Sequence, residues 1–151
     1  MNTRDIALQL EAWVADVTGF SSYPDEPRSI QKALPLVISE VLAQRVTMDP
    51  EPKLPGIGNY QQQVLKVWEM QLMLMVDPTG NTWNASQALY DAIDALEVSV
   101  KKDPTLSGRV YIASPLTDTS YDPPEVEHAD GTVARQATFL ITVGEPQPLE
   151  V

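Results

Sequence analysis

The chain has 151 residues, with ten lysine and arginine residues against 21 aspartate and glutamate, giving a formal net charge of −11. No cysteine is present, which excludes disulfides, thiolate metal sites and cysteine nucleophiles. The acidic balance is poorly suited to gripping the phosphates of nucleic acid, although not to lying beside it. With 43% hydrophobic and 21% charged residues, the composition is that of an ordinary globular chain. The start, Met1 to Leu8, is charged early, so no secretory signal is expected, and no apolar run reaches the length of a membrane span.

Thr3 to Thr18 is predicted to be a helix. Ile6, Leu10, Trp13, Val14 and Val17 recur at helical spacing, Thr3 is the candidate N-cap, and Gly19 supplies the stop. Ser21 to Lys32, with two prolines and several charges, is expected to be a surface connection. Leu34 to Met48 alternates imperfectly and predicts a long strand, interrupted near Pro35 or Glu40. Asp49 to Tyr60 packs three prolines and two glycines into twelve residues. That segment cannot be a regular element and is expected to project as an arm or lid.

Gln63 to Val76 is the stretch around which the other elements are arranged. Val64, Trp68, Met70, Leu72, Leu74 and Val76 share one parity, and Leu65, Val67, Met73 and Met75 share the other, with Glu69 and Gln71 between them. Side chains alternate faces along a strand, so one face is almost wholly apolar and the other is mixed. A turn at Asp77 to Asn81 leads to a second helix, Thr82 to Lys102. There Ala85, Ala88, Leu89, Ala92, Ile93, Leu96 and Val100 form the apolar face, and Lys101 and Lys102 complement the dipole at its C-terminal end. Asp103-Pro104 ends it. Gly108 to Ser114 predicts a short strand and Thr132 to Val143 a longer one. Pro115 to Gly131 between them, acidic and without lysine or arginine, is expected to be a loop.

The elements assemble into an α+β fold: two amphipathic helices packed on one face of a mainly antiparallel four-stranded sheet. The expected order is α-β-β-α-β-β, with a long projecting loop between the first two strands. Residues 1–144 would form one domain and 145–151 a flexible acidic, proline-containing tail. Leu65, Val67, Met73 and Met75 would lie on the uncovered sheet face, and such a patch marks an interaction surface. With Leu54, Ile57 and Tyr60 on the first projection and Asp118 and Tyr121 on the second loop, they are the candidate interface residues.

Catalytic chemistry finds little support. His128 is the sole histidine, and Glu125, Glu127, His128 and Asp130 match no standard metal-binding spacing. Gly56-Ile-Gly58 lacks the lysine and the helix of a phosphate loop. No catalytic, cofactor-binding or metal-binding residue is assigned, no cofactor is expected, and the chain is not expected to be an enzyme.

The succession of elements carries a resemblance. An N-terminal helix precedes an alternating strand (Leu34 to Met48), a proline-rich projection (Asp49 to Tyr60) and a long strand (Gln63 to Val76). A helix with Ala88-Leu-Tyr-Asp-Ala-Ile-Asp-Ala-Leu96 then runs into Asp103-Pro-Thr-Leu-Ser-Gly-Arg-Val110, and Gln136-Ala-Thr-Phe-Leu-Ile-Thr-Val143 completes the pattern. This resembles the tail terminator, or tail completion, proteins of long-tailed bacteriophages, the lambda minor tail protein U-like group. The resemblance implies a structural protein of the virion neck region, monomeric in solution and assembled as a homo-hexameric ring. The ring would cap the tail tube, stop its polymerisation and provide the head-docking surface. Its implied partners are the tail tube protein, the head–tail connector protein and neighbouring copies, with DNA passing through the lumen without specific binding and no membrane involved. The alternatives are another phage neck or head–tail joining protein, or a non-viral α+β domain that binds a small ligand or serves as an adaptor.

Overall fold

The computed structural model describes residues 2–22, 34–48, 64–77, 82–127 and 133–147. The described elements are α1 (Thr3–Thr18), β1 (Ser21–Ser22), β2 (Leu36–Met48), β3 (Val64–Val76), α2 (Thr82–Lys102), β4 (Ile112–Ala113), β5 (Thr117–Glu127) and β6 (Val133–Gln147). The projection Asp49 to Tyr60 lies outside them.

This corrects the expected architecture. The sheet has six strands rather than four, in the spatial order β1-β2-β3-β6-β4 with β5 also on β6, and it curls into a half-barrel. Among the described residues the element order is therefore α-β-β-β-α-β-β-β. The two additional strands have physical reasons for escaping notice. β1 is only two residues long and pairs parallel to β2 through Ser21–Leu36 and Ser22–Val37, too short to show any alternation. β5 occupies the acidic segment expected to be a loop. It is held by antiparallel pairing to β6, with register irregularities between Thr117 and Ser120 and between Asp122 and Val126.

The two described helices cover one face of the sheet. Ile6, Leu10, Trp13 and Val14 of α1 and Leu89, Ile93, Leu96 and Val100 of α2 enclose a single core with Trp68, Met70, Leu72 and Leu74 of β3. Ala137, Phe139, Ile141 and Val143 of β6 complete that core. The period-2 apolar parity of β3 and β6 and the 3.6 period of the helices meet here, and removal of this surface from water is the main drive for folding. Trp13 ties the helices together by donating its indole N–H to Ser99 Oγ at 3.0 Å.

Helix α1 is capped by Asn2 rather than Thr3. The Asn2 side chain accepts from the Asp5 backbone N–H at 2.8 Å, and Asp5 reaches back to the Asn2 N–H. This reciprocal arrangement satisfies two of the donors that a helix start leaves open. With the cap supplied by Asn2, the Thr3 hydroxyl bonds to the sheet instead. It donates to Gln44 Oε1 at 2.7 Å and accepts from the Trp68 indole N–H at 3.2 Å. Gly19 ends the helix in the left-handed conformation at φ 79°, which only glycine adopts without steric cost.

The central strands are long. β2 pairs with β3 from Leu36–Met75 to Met48–Val64, with a bulge at Leu42 between Val41 and Ala43. β3 pairs with β6 from Val76–Arg135 to Val64–Gln147. Residues 145–147, expected to belong to a solvated tail, are thus the end of β6 and stand beside Val64, Leu65 and Lys66.

Candidate interaction surface

The uncovered face of the sheet is not the open apolar patch expected of it. Met75 is fully buried with Leu36 and Ala134, and Leu34, Ile38 and Met73 pack against them as a second, small cluster. Val67 is also buried, while Leu65 and Met73 are half-buried. The middle of the face is polar: Arg45 and Glu69 form an ion pair at 2.8 Å, and the hydroxyls of Ser120 and Thr138 lie 2.8 Å apart. Strand curl explains the difference, because a curled sheet brings side chains on neighbouring strands of one face together.

The remaining candidate residues scatter. Leu54, Ile57 and Tyr60 lie outside the described residues. Asp118 is exposed, at a left-handed φ of 51° within the irregular start of β5. Tyr121 is exposed, and its ring packs edge-on against Tyr90 of α2, with centroids 5.0 Å apart. Burial, with the negative charges of Asp94 and Glu97 and the neighbouring Tyr90, pushes the Tyr121 phenol above its ordinary pKa. Among the described candidates, Leu65, Val67, Met73 and Met75 lie on the uncovered face, and Tyr121 lies against α2.

A different surface emerges at the edges of the sheet. On the β2 side, β1 occupies the edge at Leu36 and Val37, and Glu11 of α1 occupies it at Ser39. Beyond the bulge, no strand among the described residues lies on the outer side of Ala43 to Met48, away from β3. Leu42 and Val46 there are 50% and 62% exposed, and Ala43, Gln44 and Arg45 are exposed between them. Sequence reasoning missed both apolar residues because they share the parity of Leu36 and Ile38, and the bulge between Val41 and Ala43 breaks that parity partway along the strand.

The opposite edge is blunted. The N–H of Ala113 in β4 donates to the Pro104 carbonyl at 2.7 Å, so the turn after α2 lies against that strand. β5 is blunted by its irregular register and by Pro123 and Pro124, which have no N–H to offer.

That turn, Asp103 to Val110, has Leu106, Ser107 and Gly108 at φ 53°, 61° and 80°. Left-handed geometry is unfavourable for the first two, and the surroundings hold them there. Leu106 is buried in the core. Asp103 accepts from the Thr105 hydroxyl at 2.6 Å, the Thr105 N–H at 3.0 Å and the Ser107 N–H at 2.9 Å. Arg109 donates to the Leu106 carbonyl and pairs with Asp16 of α1.

The Thr105 hydroxyl, followed by the backbone N–H groups of Ser107 and Thr105, holds the Asp103 carboxyl below the usual carboxylate range. A depressed folded-state pKa adds stability that is present above the unfolded-state value and lost as pH falls through the folded one. Asp103→Asn is therefore expected to lower the melting temperature at pH 7. The difference from the parent should shrink as pH falls below about 4, as followed by circular dichroism.

Among the described residues no group of three or more histidine, aspartate or glutamate side chains is placed to hold a metal ion. No protein-family model matches the chain, and no curated protein matches it.

Proposed function

We propose that the protein is a phage virion assembly protein that forms a ring on the tail tube, ends tube polymerisation and presents the surface to which the head docks. The observation that carries the reading is the junction from α2 into β4. Asp103-Pro-Thr-Leu-Ser-Gly-Arg-Val110 is the most specific part of the resemblance to tail terminator proteins, and here it is a tightly hydrogen-bonded left-handed turn blunting one edge of the sheet. The long strands β2, β3 and β6 give further support, because they continue past the N-terminal end of α1. The acidic balance fits a conduit: a negative lumen repels phosphates and lets DNA pass without adhering. In this reading the partners are the tail tube protein, the head–tail connector protein and other copies of the chain, and the protein resides in the neck of the virion.

The test is a tube-length assay. Purified tail tube protein polymerises in the presence of increasing amounts of this protein, and tube lengths are measured by electron microscopy. Shorter tubes bearing a ring at one end are the expected result. Tubes of unchanged length, with none of this protein sedimenting alongside them, would overturn the reading.

A further inference from the structure

We infer that the open half of β2 is a strand-addition edge occupied by a second copy of this chain, paired antiparallel about a twofold axis at Gln44. An unpaired strand presents a row of backbone donors and acceptors that another strand satisfies, and proteins blunt such edges when they are not used. This molecule blunts its edges selectively. β1 covers Leu36 and Val37, the carboxyl group of Glu11 takes the N–H of Ser39, and the Pro104 carbonyl takes the N–H of Ala113 on the far side. The outer side of Ala43 to Met48 has no such cover among the described residues, and Ala43, Gln44, Arg45 and Val46 are exposed there.

The residues on that edge are complementary to themselves in one register. With the axis at Gln44, Leu42 of each copy stands opposite Val46 of the other, and Ala43 stands opposite Arg45. The two large exposed apolar side chains of the edge, 50% and 62% exposed, thus cover one another twice. Cross-strand apolar pairs of this kind are the unit of sheet stabilisation. Moving the axis to Arg45 places two guanidinium groups face to face, and moving it to Ala43 places Val46 against Glu40. Neither alternative pairs Leu42 with Val46.

Charge favours the same place. Each copy carries a net charge of −11, and Val41 to Met48 contains no acid and the single base Arg45. Two acidic molecules therefore meet least repulsion along this stretch, and the repulsion that remains is screened by salt. By contrast, β5 on the other side of the sheet carries Asp118, Asp122, Glu125 and Glu127 and no base, so two such edges repel. The contact uses one patch twice, whereas ring closure needs two different patches. It does not rest on the proposed function, and it makes the free protein a dimer instead of the expected monomer.

The absence of cysteine allows a direct test in the full chain. Leu42→Cys and Val46→Cys are prepared separately and oxidised under mild conditions, alone and mixed. Disulfide dimers are expected from the mixture and from Gln44→Cys by itself, but not from Leu42→Cys or Val46→Cys alone. Light scattering of the unmodified protein is expected to show twice the monomer mass, with the dimer fraction rising with salt. Val46→Lys should weaken the dimer by roughly tenfold or more, with an unchanged far-ultraviolet spectrum. A monomer mass at every concentration and salt level overturns the inference. So does crosslinking of Leu42→Cys alone as efficient as that of the mixture. Tube capping by Val46→Lys is read separately, so loss of the dimer and failure of the ring reading give different results.

Discussion

Trp68→Ala is expected to cost about 3–5 kcal/mol of folding free energy, measured as a shift of the urea midpoint with the slope unchanged. The side chain is wholly buried at the level where α1 begins, and it joins α1, β2 and β3 at one point. Its ring fills the core beneath α1, and its indole N–H donates to the hydroxyl of Thr3. Thr3 in turn donates to Gln44 of β2, and the Lys66 ammonium lies 4.9 Å from the ring centroid. Truncation removes the largest apolar group of β3, leaves a cavity that surrounding strands cannot close, and frees the start of α1 from the sheet. Against a total stability of about 5–15 kcal/mol for a domain of this kind, the loss is a large fraction. Trp68→Phe separates the two contributions. It keeps most of the buried ring but drops the donor to Thr3, whose hydroxyl keeps Gln44 as a partner, so a loss nearer 1–2 kcal/mol is expected. If Trp68→Phe were as damaging as Trp68→Ala, the hydrogen-bonded chain, and not the packing, would be what holds α1 in place.

What is legible in the sequence follows from which residues carry a period. Helix α2 spans Thr82–Lys102 because Ala85, Leu89, Ile93, Leu96 and Val100 repeat at helical spacing, and four of these five are under 3% exposed. Trp68, Met70, Leu72 and Leu74 of β3 share one parity and are wholly buried. Other features depend on tertiary partners that no local pattern records. Pro123 and Pro124 mark a loop in isolation, yet their segment is a strand because β6 offers it a register on either side of them. Gly144 and Pro146 look like the end of a strand, yet β3 carries pairing out to Gln147. Met75 has the parity of an exposed residue, and it is buried because the curl gathers Leu36 and Ala134 around it. The candidate interface is where this matters most. Parity points to apolar residues on the uncovered face, whereas the exposed apolar residues of β2, Leu42 and Val46, follow from a bulge that breaks the parity partway along the strand.

Glu11→Ala is expected to destabilise the fold by about 2–3 kcal/mol, a large effect for a carboxylic acid, since surface substitutions usually stay within about 0.5 kcal/mol. Glu11 lies within the apolar stripe of α1 and is only 7% exposed. Its Oε1 accepts from the Ser39 backbone N–H at 2.9 Å and from the Ser39 hydroxyl at 2.8 Å. Alanine removes the acceptor from both donors in a place that water reaches poorly, and an unmade bond there costs more than a made one contributes. Glu11→Gln retains a carbonyl oxygen in the same position and should lose less than half as much. Ser39→Ala removes the hydroxyl alone, so the cycle Glu11→Ala, Ser39→Ala and the double variant should show a coupling of about 0.5–1.5 kcal/mol. Additivity within error would mean that Glu11 acts through the backbone N–H only. The consequence extends beyond stability, because Ser39 lies where the covered half of the β2 edge gives way to the open one. Freed of Glu11, the open edge lengthens from Ala43–Met48 back to Ser39, and longer open edges pair indiscriminately. Glu11→Ala should therefore form higher oligomers and aggregates at concentrations where the parent protein stops at the dimer. A variant equally destabilised by a core change, such as Ile93→Val combined with Leu89→Met, should not do so at the same fraction unfolded. That comparison separates an exposed edge from a merely weakened fold, since both variants populate the unfolded chain but only one alters the edge of the native molecule.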